Sequence, residues 1–302
     1  MVMENRTEVL YLNGTFMALT DGRISVEDRG FELGDGIYEV IKIANSRLLW
    51  LADHLERLEH SLGSIRLTEA LDGHDMQKVL TELVARSGLE QGMVYVQVTR
   101  GYAPREFVFP TAPHPTVLAY AREHPAPAVD DILKGIALHP VEDMRWARCD
   151  IKSTNLLAAV LAKEEARSAG ADEALFMAPD GAVREGGSSN VFAVIEGVLR
   201  THPLSNRILG GITRKHVIEI ARRSGYAVEE RAFTLDEVTA TPAGQAEVFT
   251  ASTLKDVLPV VRIGDRTIGD GRPGRVTLHV LDAMRQEQAL VVGAGTPAPL
   301  AV

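Results

Sequence analysis

The chain of 302 residues has a single cysteine, Cys149, so it can form neither an internal disulfide nor a zinc site built from several cysteines. It has no apolar run near the roughly 18 residues that a membrane-spanning helix needs. Its first residues also lack the apolar core of a signal peptide. These absences predict a cytoplasmic protein that contacts no membrane.

Positive charge is scarce as well. The 32 lysines and arginines are outnumbered by 41 aspartates and glutamates, which gives a net charge of −9 without a basic stripe. Such a chain is a poor candidate for binding nucleic acid. The sequence contains neither His-Glu-x-x-His nor Gly-x-Ser-x-Gly, so we expect no metal site and no α/β-hydrolase triad.

Prolines are concentrated between residues 110 and 127, and they mark a change of domain. We predict a small first domain over residues 1–122, a linker over 123–132 and a larger second domain over 133–302. Both halves mix short strands with helices. Because the regular strand–helix alternation of a Rossmann fold is missing, the sequence predicts an α+β fold.

The segment Gly36–Ile43 has the alternation of a strand. This pattern places Tyr38, Val40 and Lys42 on one face and Glu39 with two isoleucines on the other. Leucines at helical spacing between residues 51 and 62 predict a helix that carries Arg57 beside its apolar stripe.

Lys152 is the one of the seven lysines whose context suggests chemistry. It stands where a strand is predicted to end, ahead of a helix predicted over Asn155–Ala169 with Ser153 or Asn155 as its N-cap. A helix N-terminus and partial burial both disfavour a charged ammonium, and Schiff-base chemistry requires the neutral amine. Position alone leaves open the alternative of a solvated lysine near a helix cap.

Three turns offer groups that could bind a phosphorylated cofactor. Glu185–Asn190 is a Gly/Ser turn beginning with a carboxylate, Gly210–Arg214 leads into a helix, and Ser252 and Thr253 follow a strand. Arg57 could supply the charge that a phosphate dianion needs. Each feature alone is common in ordinary turns, but their combination with Lys152 suggests pyridoxal phosphate.

Four segments resemble the fold-type IV pyridoxal-phosphate aminotransferases: Arg29–Val40, Asp150–Asn155, Glu185–Asn190 and Gly211–Arg214. Thr99–Gly101 and Pro104–Arg105 make the pattern most similar to that of D-amino-acid transaminases. The motifs occur in the family's order. The resemblance implies two mixed α/β domains with the active site between them, pyridoxal 5′-phosphate as cofactor, and a homodimer whose small-molecule partners are amino acids and 2-oxo acids.

The resemblance also implies a role for each matching residue. Lys152 would form the Schiff base and carry the proton of the substrate Cα, and Glu185 would keep the pyridine nitrogen protonated. The other cofactor-binding positions are Arg57, Ser188, Asn190, Leu209, Ile212, Thr213, Ser252 and Thr253. The substrate-binding positions are Tyr38, Val40, Lys42, Arg105 and Phe107, with Tyr38 and Arg105 binding the substrate carboxylate.

Two departures from the family pattern bear on the substrate. Phe107 stands where D-amino-acid transaminases often have a histidine, and Gly187 replaces a common serine. The resemblance implies amino transfer between D-amino acids, such as D-alanine and D-glutamate, and 2-oxo acids, such as pyruvate and 2-oxoglutarate. The alternatives are a branched-chain L-amino-acid aminotransferase, an (R)-selective amine transaminase and, more remotely, an aminodeoxychorismate lyase.

Overall fold

A computed structural model describes residues 8–242 and 244–300, which form two compact units. The first unit comprises the described residues through Ala126 together with Ile151–Asn155 and Val291–Ala294. The second comprises Pro127–Asp150, Leu156–Leu290 and the described residues from Gly295 onward. Lys152 therefore belongs to the first unit although it follows the proline-rich stretch. The sequence-based boundaries, with a linker over 123–132, stay a prediction; the structure shows that this stretch is helical from Val129 onward.

The first unit is built on a six-stranded antiparallel sheet in the order β2-β1-β6-β5-β3-β4. A tight turn at Asn13 and Gly14, both with positive φ, joins its first two strands, as the Asn-Gly pair predicts. The elements of this unit are β1 (Val9–Leu12), β2 (Thr15–Ala18), α1 (Arg29–Leu33), β3 (Gly36–Ala44), β4 (Arg47–Leu48), α2 (Leu51–Ser64), α3 (Met76–Ser87), β5 (Gln91–Thr99) and β6 (Thr116–Arg122).

One face of this sheet is covered by α2 and α3, which pack on β3, β1 and β6. Leu58 and Leu62 of α2 meet Ile41 and Ile43 of β3 in one buried cluster. Tyr38, Val40 and Lys42 are half-buried, whereas Ile37, Glu39, Ile41 and Ile43 are buried, so the predicted alternation of β3 is confirmed. The side chains of Tyr38, Val40 and Lys42 therefore point away from the core of the first unit.

The second unit contains a larger mixed sheet. Its elements are α4 (Val129–Lys134), β7 (Ile136–Glu142), α5 (Leu157–Ser168), β8 (Glu173–Met177), β9 (Val183–Gly186), β10 (Asn190–Ile195), β11 (Val198–Thr201), α6 (Ile212–Arg223), β12 (Ala227–Glu229), α7 (Leu235–Ala240), β13 (Glu247–Ser252), β14 (Asp256–Ile263), β15 (Arg266–Thr267) and α8 (Arg275–Val291). The α+β class predicted from the sequence is confirmed.

Six of these strands form a closed path in the order β10-β13-β14-β7-β8-β9. The path closes because Glu185 of β9 lies opposite Asn190, the first residue of β10. Helix α5 packs on β7 and β8, and α6 packs on β13. Among the described helices, none is both long and apolar enough to cross a bilayer.

Candidate active site

Lys152 is held against the beginning of β3. Its carbonyl oxygen accepts a hydrogen bond from the Tyr38 N–H at 2.9 Å, and the neighbouring Ser153 forms a bridge with Ile37. The Lys152 Nζ lies 4.3 Å from the centre of the Tyr38 ring. The structure therefore brings together the predicted Schiff-base lysine and one predicted substrate-binding residue.

The expected helix cap beside Lys152 is wrong. Helix α5 begins at Leu157, and no side chain caps its N-terminus. Ser153 is instead bridged to β3, and the Asn155 side chain donates to the Gly34 carbonyl at 3.0 Å. Because the helix begins five residues after Lys152, its N-terminus cannot be the cause of any special reactivity of this lysine.

Arg57 is fixed by a buried carboxylate on the core face of β3. Its Nε and Nη2 donate to the two oxygens of Glu39 at 2.7 and 2.8 Å. The His54 Nδ1 lies 2.8 Å from the same carboxylate. Burial raises the pKa of Glu39, but Arg57 and His54 outweigh it and hold that pKa at about 2. The role of Arg57 in phosphate binding stays a prediction, and its orientation is set by Glu39.

The predicted substrate-binding residues lie in two different parts of the first unit, one on a strand and one in an exposed connection. Tyr38 stacks on Tyr95 of β5, with ring centres 5.7 Å apart, and shares its face of β3 with Val40 and Lys42. Arg105 and Phe107 lie in the exposed connection between β5 and β6, where the guanidinium is 5.9 Å from the Phe107 ring centre. The only acidic partner of Arg105 in the described part of the chain is Glu32, at 3.9 Å.

Glu185 is a buried carboxylate at the point where the strand path of the second unit closes. Its Oε1 accepts from Arg145 Nη1 at 2.5 Å, and its Oε2 accepts from Asn190 Nδ2 and from the Leu209 N–H at 3.1 and 3.0 Å. Burial raises its pKa to about 6, even though Arg145 and the Leu209 N–H act in the opposite direction. Such a group is suited to share a proton with a basic ring nitrogen.

Asn190 joins several of the predicted cofactor-binding positions. Its Nδ2 also donates to the Leu209 carbonyl at 2.9 Å, and across the sheet it lies opposite Ala251, one residue before Ser252. A Cβ on Gly211 would lie 2.0 Å from Asn190 Oδ1, so any larger residue would displace the Asn190 side chain. Glu185, Asn190, Leu209 and the residues ahead of α6 are thereby packed side by side.

The donors expected of a phosphate site stand at the beginning of α6. As in any helix, the first-turn N–H groups of Ile212 and Thr213 have no intrahelical acceptor, and no side chain of the N-cap residue accepts from this turn. Thr213 Oγ1 is buried and has no hydrogen-bond partner among the described residues. Ser252 ends β13, on which α6 packs, and Thr253 follows it. Uncapped amides and a buried unpaired hydroxyl fit a bound phosphate group.

Ser188 has different partners. Its hydroxyl donates to Glu173 Oε2 at 2.9 Å and accepts from Lys163 Nζ at 2.9 Å. The structure thus engages this side chain in a separate ionic cluster, and its predicted contact with a cofactor stays a prediction. A Cβ on Gly187 would lie 2.8 Å from Glu173 Oε1, so the glycine makes room for that cluster.

Comparison with known proteins identifies the family. The family described as Amino-transferase class IV matches residues 36–263, from the first residue of β3 to the last residue of β14. The chain belongs to the class IV aminotransferases. This membership confirms the fold-type IV resemblance, and it makes the protein an amino-transferring enzyme.

Individual relatives of this aminotransferase agree with the family. The chain is 40% identical to a D-alanine aminotransferase of Staphylococcus haemolyticus over 92% of its own length and 96% of the relative's. It is also 40% identical to a D-alanine aminotransferase of Bacillus licheniformis, over 90% and 94%. A branched-chain amino acid aminotransferase of T.th., solved with pyridoxamine 5′-phosphate, has a TM-score of 0.84 at 29% identity, covering 96% and 95% of the two chains.

Sequence reasoning missed the side chains that hold the predicted site residues of this aminotransferase. Arg145 pairs with Glu185, and Glu39 pairs with Arg57. A signal for Glu39 was present, because the alternation of β3 places its charge on a face otherwise formed by isoleucines. No comparable pattern surrounds Arg145, which follows β7 in an irregular segment.

Proposed function

We propose that this aminotransferase transfers amino groups between D-amino acids, such as D-alanine and D-glutamate, and 2-oxo acids, such as pyruvate and 2-oxoglutarate. The observation that carries the proposal is the 40% identity to D-alanine aminotransferases over nearly the whole chain. The presence of Tyr38 and Arg105, the pair predicted to bind the substrate carboxylate, supports it.

We propose pyridoxal 5′-phosphate as the cofactor. When bound, it would supply an electron-withdrawing ring that accepts the charge left as the substrate Cα loses its proton. Lys152 Nζ would bind the cofactor covalently and then move that proton, while Glu185 would hold a proton at the ring nitrogen. Arg57, the Ile212 and Thr213 amides, and the hydroxyls of Thr213, Ser252 and Thr253 would hold the phosphate.

Borohydride reduction tests the covalent assignment. Purified protein should absorb in the visible range, and reduction followed by peptide mapping should place the pyridoxyl group on Lys152. Lys152→Ala should lose both the label and nearly all turnover. A label on Lys42 or Lys163 would overturn the assignment of Lys152.

An assay with both enantiomers tests the substrate. We expect 2-oxoglutarate to be converted with D-alanine as amino donor and not with L-leucine or L-valine. The second candidate is a branched-chain L-amino-acid aminotransferase, which the fold likeness to the T.th. enzyme supports. Turnover with L-leucine and none with D-alanine would select it and reject the D-amino-acid proposal.

We also propose a homodimer. Leu157, Val160 and Leu161 lie three and four residues apart on α5 and are 71%, 58% and 62% exposed. An apolar stripe of this kind on one helix face favours burial against a second copy of the chain. Light scattering should give twice the chain mass, and Leu157→Asp with Leu161→Asp should reduce it to the mass of one chain. A wild-type protein of single-chain mass would reject the dimer.

A further inference from the structure

The segment between β5 and β6 carries Arg105 and Phe107 without a helix or strand of its own from Ala103 to Pro110. Arg105 and Phe107 are largely exposed, and Phe107 reaches 85%. A surface segment with so little packing samples many conformations unless other groups hold it. A carboxylate-binding arginine on it needs a defined position, because a small displacement weakens a charge-assisted hydrogen bond.

Two buried arginines meet at one carboxylate beneath this segment. Asp35 Oδ2 accepts from Arg29 Nε and from Arg100 Nε, each at 2.9 Å, and Asp35 Oδ1 accepts from Arg100 Nη2 at 3.1 Å. Both arginines are only 2% exposed. Since water cannot solvate these guanidinium groups well, their orientation depends on the carboxylate between them.

Each arginine also holds one part of the segment. Arg29 Nη1 donates to the carbonyl of Glu106, the residue between Arg105 and Phe107, at 2.5 Å. The Arg100 guanidinium lies 3.7 Å from the centre of the Phe109 ring. Arg100 Nη2 further donates to the Ile65 carbonyl at 2.7 Å, which ties the arrangement to the end of α2.

Asp35 is also connected to two residues with predicted roles in binding the substrate and in the reaction, Tyr38 and Lys152. It immediately precedes β3, and its carbonyl accepts from the Arg100 N–H at 3.1 Å. Tyr38, three residues later, donates its N–H to the carbonyl of Lys152. Asp35 is therefore linked along β3 to Tyr38 and Lys152, and through Arg29 and Arg100 to the segment that carries Arg105.

We propose that Asp35 is a positioning residue that acts through Arg29 and Arg100 to fix Arg105 relative to Tyr38 and so sets the affinity for the substrate carboxylate. The proposal rests on the proposed D-amino-acid function for its substrate. Asp35 itself touches neither substrate nor cofactor in this role. Its loss affects binding of the carboxylate more than the proton transfer at Lys152.

Asp35→Asn is the direct test, because it removes the charge and keeps the size. In the holoenzyme, we expect the KM for D-alanine to rise at least tenfold while kcat changes less than threefold. In limited proteolysis, trypsin should cleave after Arg105 at least tenfold faster than in wild type, with cleavage in the rest of the first unit unchanged. Glu82→Gln, which removes an exposed pair with Arg86, is the matched control and should alter neither quantity.

Phe109→Ala covers the case in which Asp35→Asn does not fold. The Phe109 side chain is half-exposed, so its loss leaves the buried network intact while it removes the contact with Arg100. We expect about a threefold rise in KM with faster tryptic cleavage after Arg105, as befits one cation–π contact. An unchanged rate of cleavage after Arg105 in either folded variant would overturn the proposal, as would a fall in kcat with no change in KM. Wild-type enzyme inactive with D-alanine would refute the proposed function instead, and the cleavage rates would then test the anchoring of the segment alone.

Discussion

Replacing Glu39 by glutamine should destabilise the protein at neutral pH. Contacts with Arg57 and His54 bring the pKa of this buried carboxyl from 4.5 to about 2. A downward shift of that size corresponds to roughly 3 kcal/mol of folding free energy when the group is ionised. The unfolded chain binds a proton more readily than the folded one in this range. The stabilisation is therefore complete above pH 4.5 and is lost as the pH falls toward 2.

Urea unfolding followed by circular dichroism measures this difference. At pH 7, we expect Glu39→Gln to unfold with a free energy about 3 kcal/mol below that of wild type. The control Glu82→Gln should differ by less than about 0.5 kcal/mol, because its ion pair with Arg86 is exposed. Repeating both titrations toward pH 3 should bring Glu39→Gln and wild type closer together, because at pH 3 Glu39 takes up a proton in the unfolded wild-type chain, and this favours unfolding.

Cofactor titration gives a second readout of the same change. In Glu39→Gln, Arg57 loses its charged partner and one of the two carboxylate oxygens that accept from its guanidinium, and the affinity for pyridoxal phosphate should fall at least tenfold. A Glu39→Gln protein as stable as wild type at pH 7 would refute the reasoning. So would a deficit of equal size at pH 7 and pH 3, because only the ionised carboxylate supplies the stabilisation.

Four further predictions concern other residues of the two units. Glu185→Gln should retain the cofactor but lose at least about tenfold in single-turnover rate with D-alanine, because a neutral amide cannot hold the ring proton; a wild-type rate would contradict that role. Arg105→Ala should raise the KM for D-alanine far more than that for (R)-1-phenylethylamine, which has no carboxylate, and equal effects would make the arginine structural. Glu32→Gln should lower the KM for D-alanine about threefold, since Glu32 lies 3.9 Å from the exposed Arg105 and competes only weakly for it at that distance, and a higher KM would argue against competition. Cys149, whose pKa burial raises to about 11, should react with a disulfide reagent at pH 8 only after unfolding, and fast labelling of folded protein would contradict its burial.

The local pattern of the sequence predicted those features that depend on neighbours along the chain. The faces of β3 followed from alternation, and the Asn13–Gly14 turn followed from the backbone freedom of its residues. The helix after Lys152 was placed two residues too early, because Ser153 pairs with β3 and Asn155 with Gly34 instead of capping α5. A competing tertiary contact outweighed the capping preference of these residues.

Side chains that meet across large sequence distances could not be predicted. Glu185 and Arg145 are 40 residues apart, and Asp35 and Arg100 are 65 apart. The local sequence around each residue does not indicate which distant residue it will contact, because such pairs form only once the sheets have formed. The family resemblance predicts the roles of Lys152 and Glu185, but it gives no information about the residues that hold them in place.

The pairing of Lys152 with β3 limits how this protein can change in length. Its carbonyl and the Ser153 bridge set the register in which residues 151–155 lie against Ile37 and Tyr38. Because alternate residues of an extended segment point in opposite directions, deletion of one residue here would turn the lysine amine away from the Tyr38 ring. Divergence and laboratory evolution can therefore exchange side chains around Lys152, but insertions and deletions in this short segment should be eliminated.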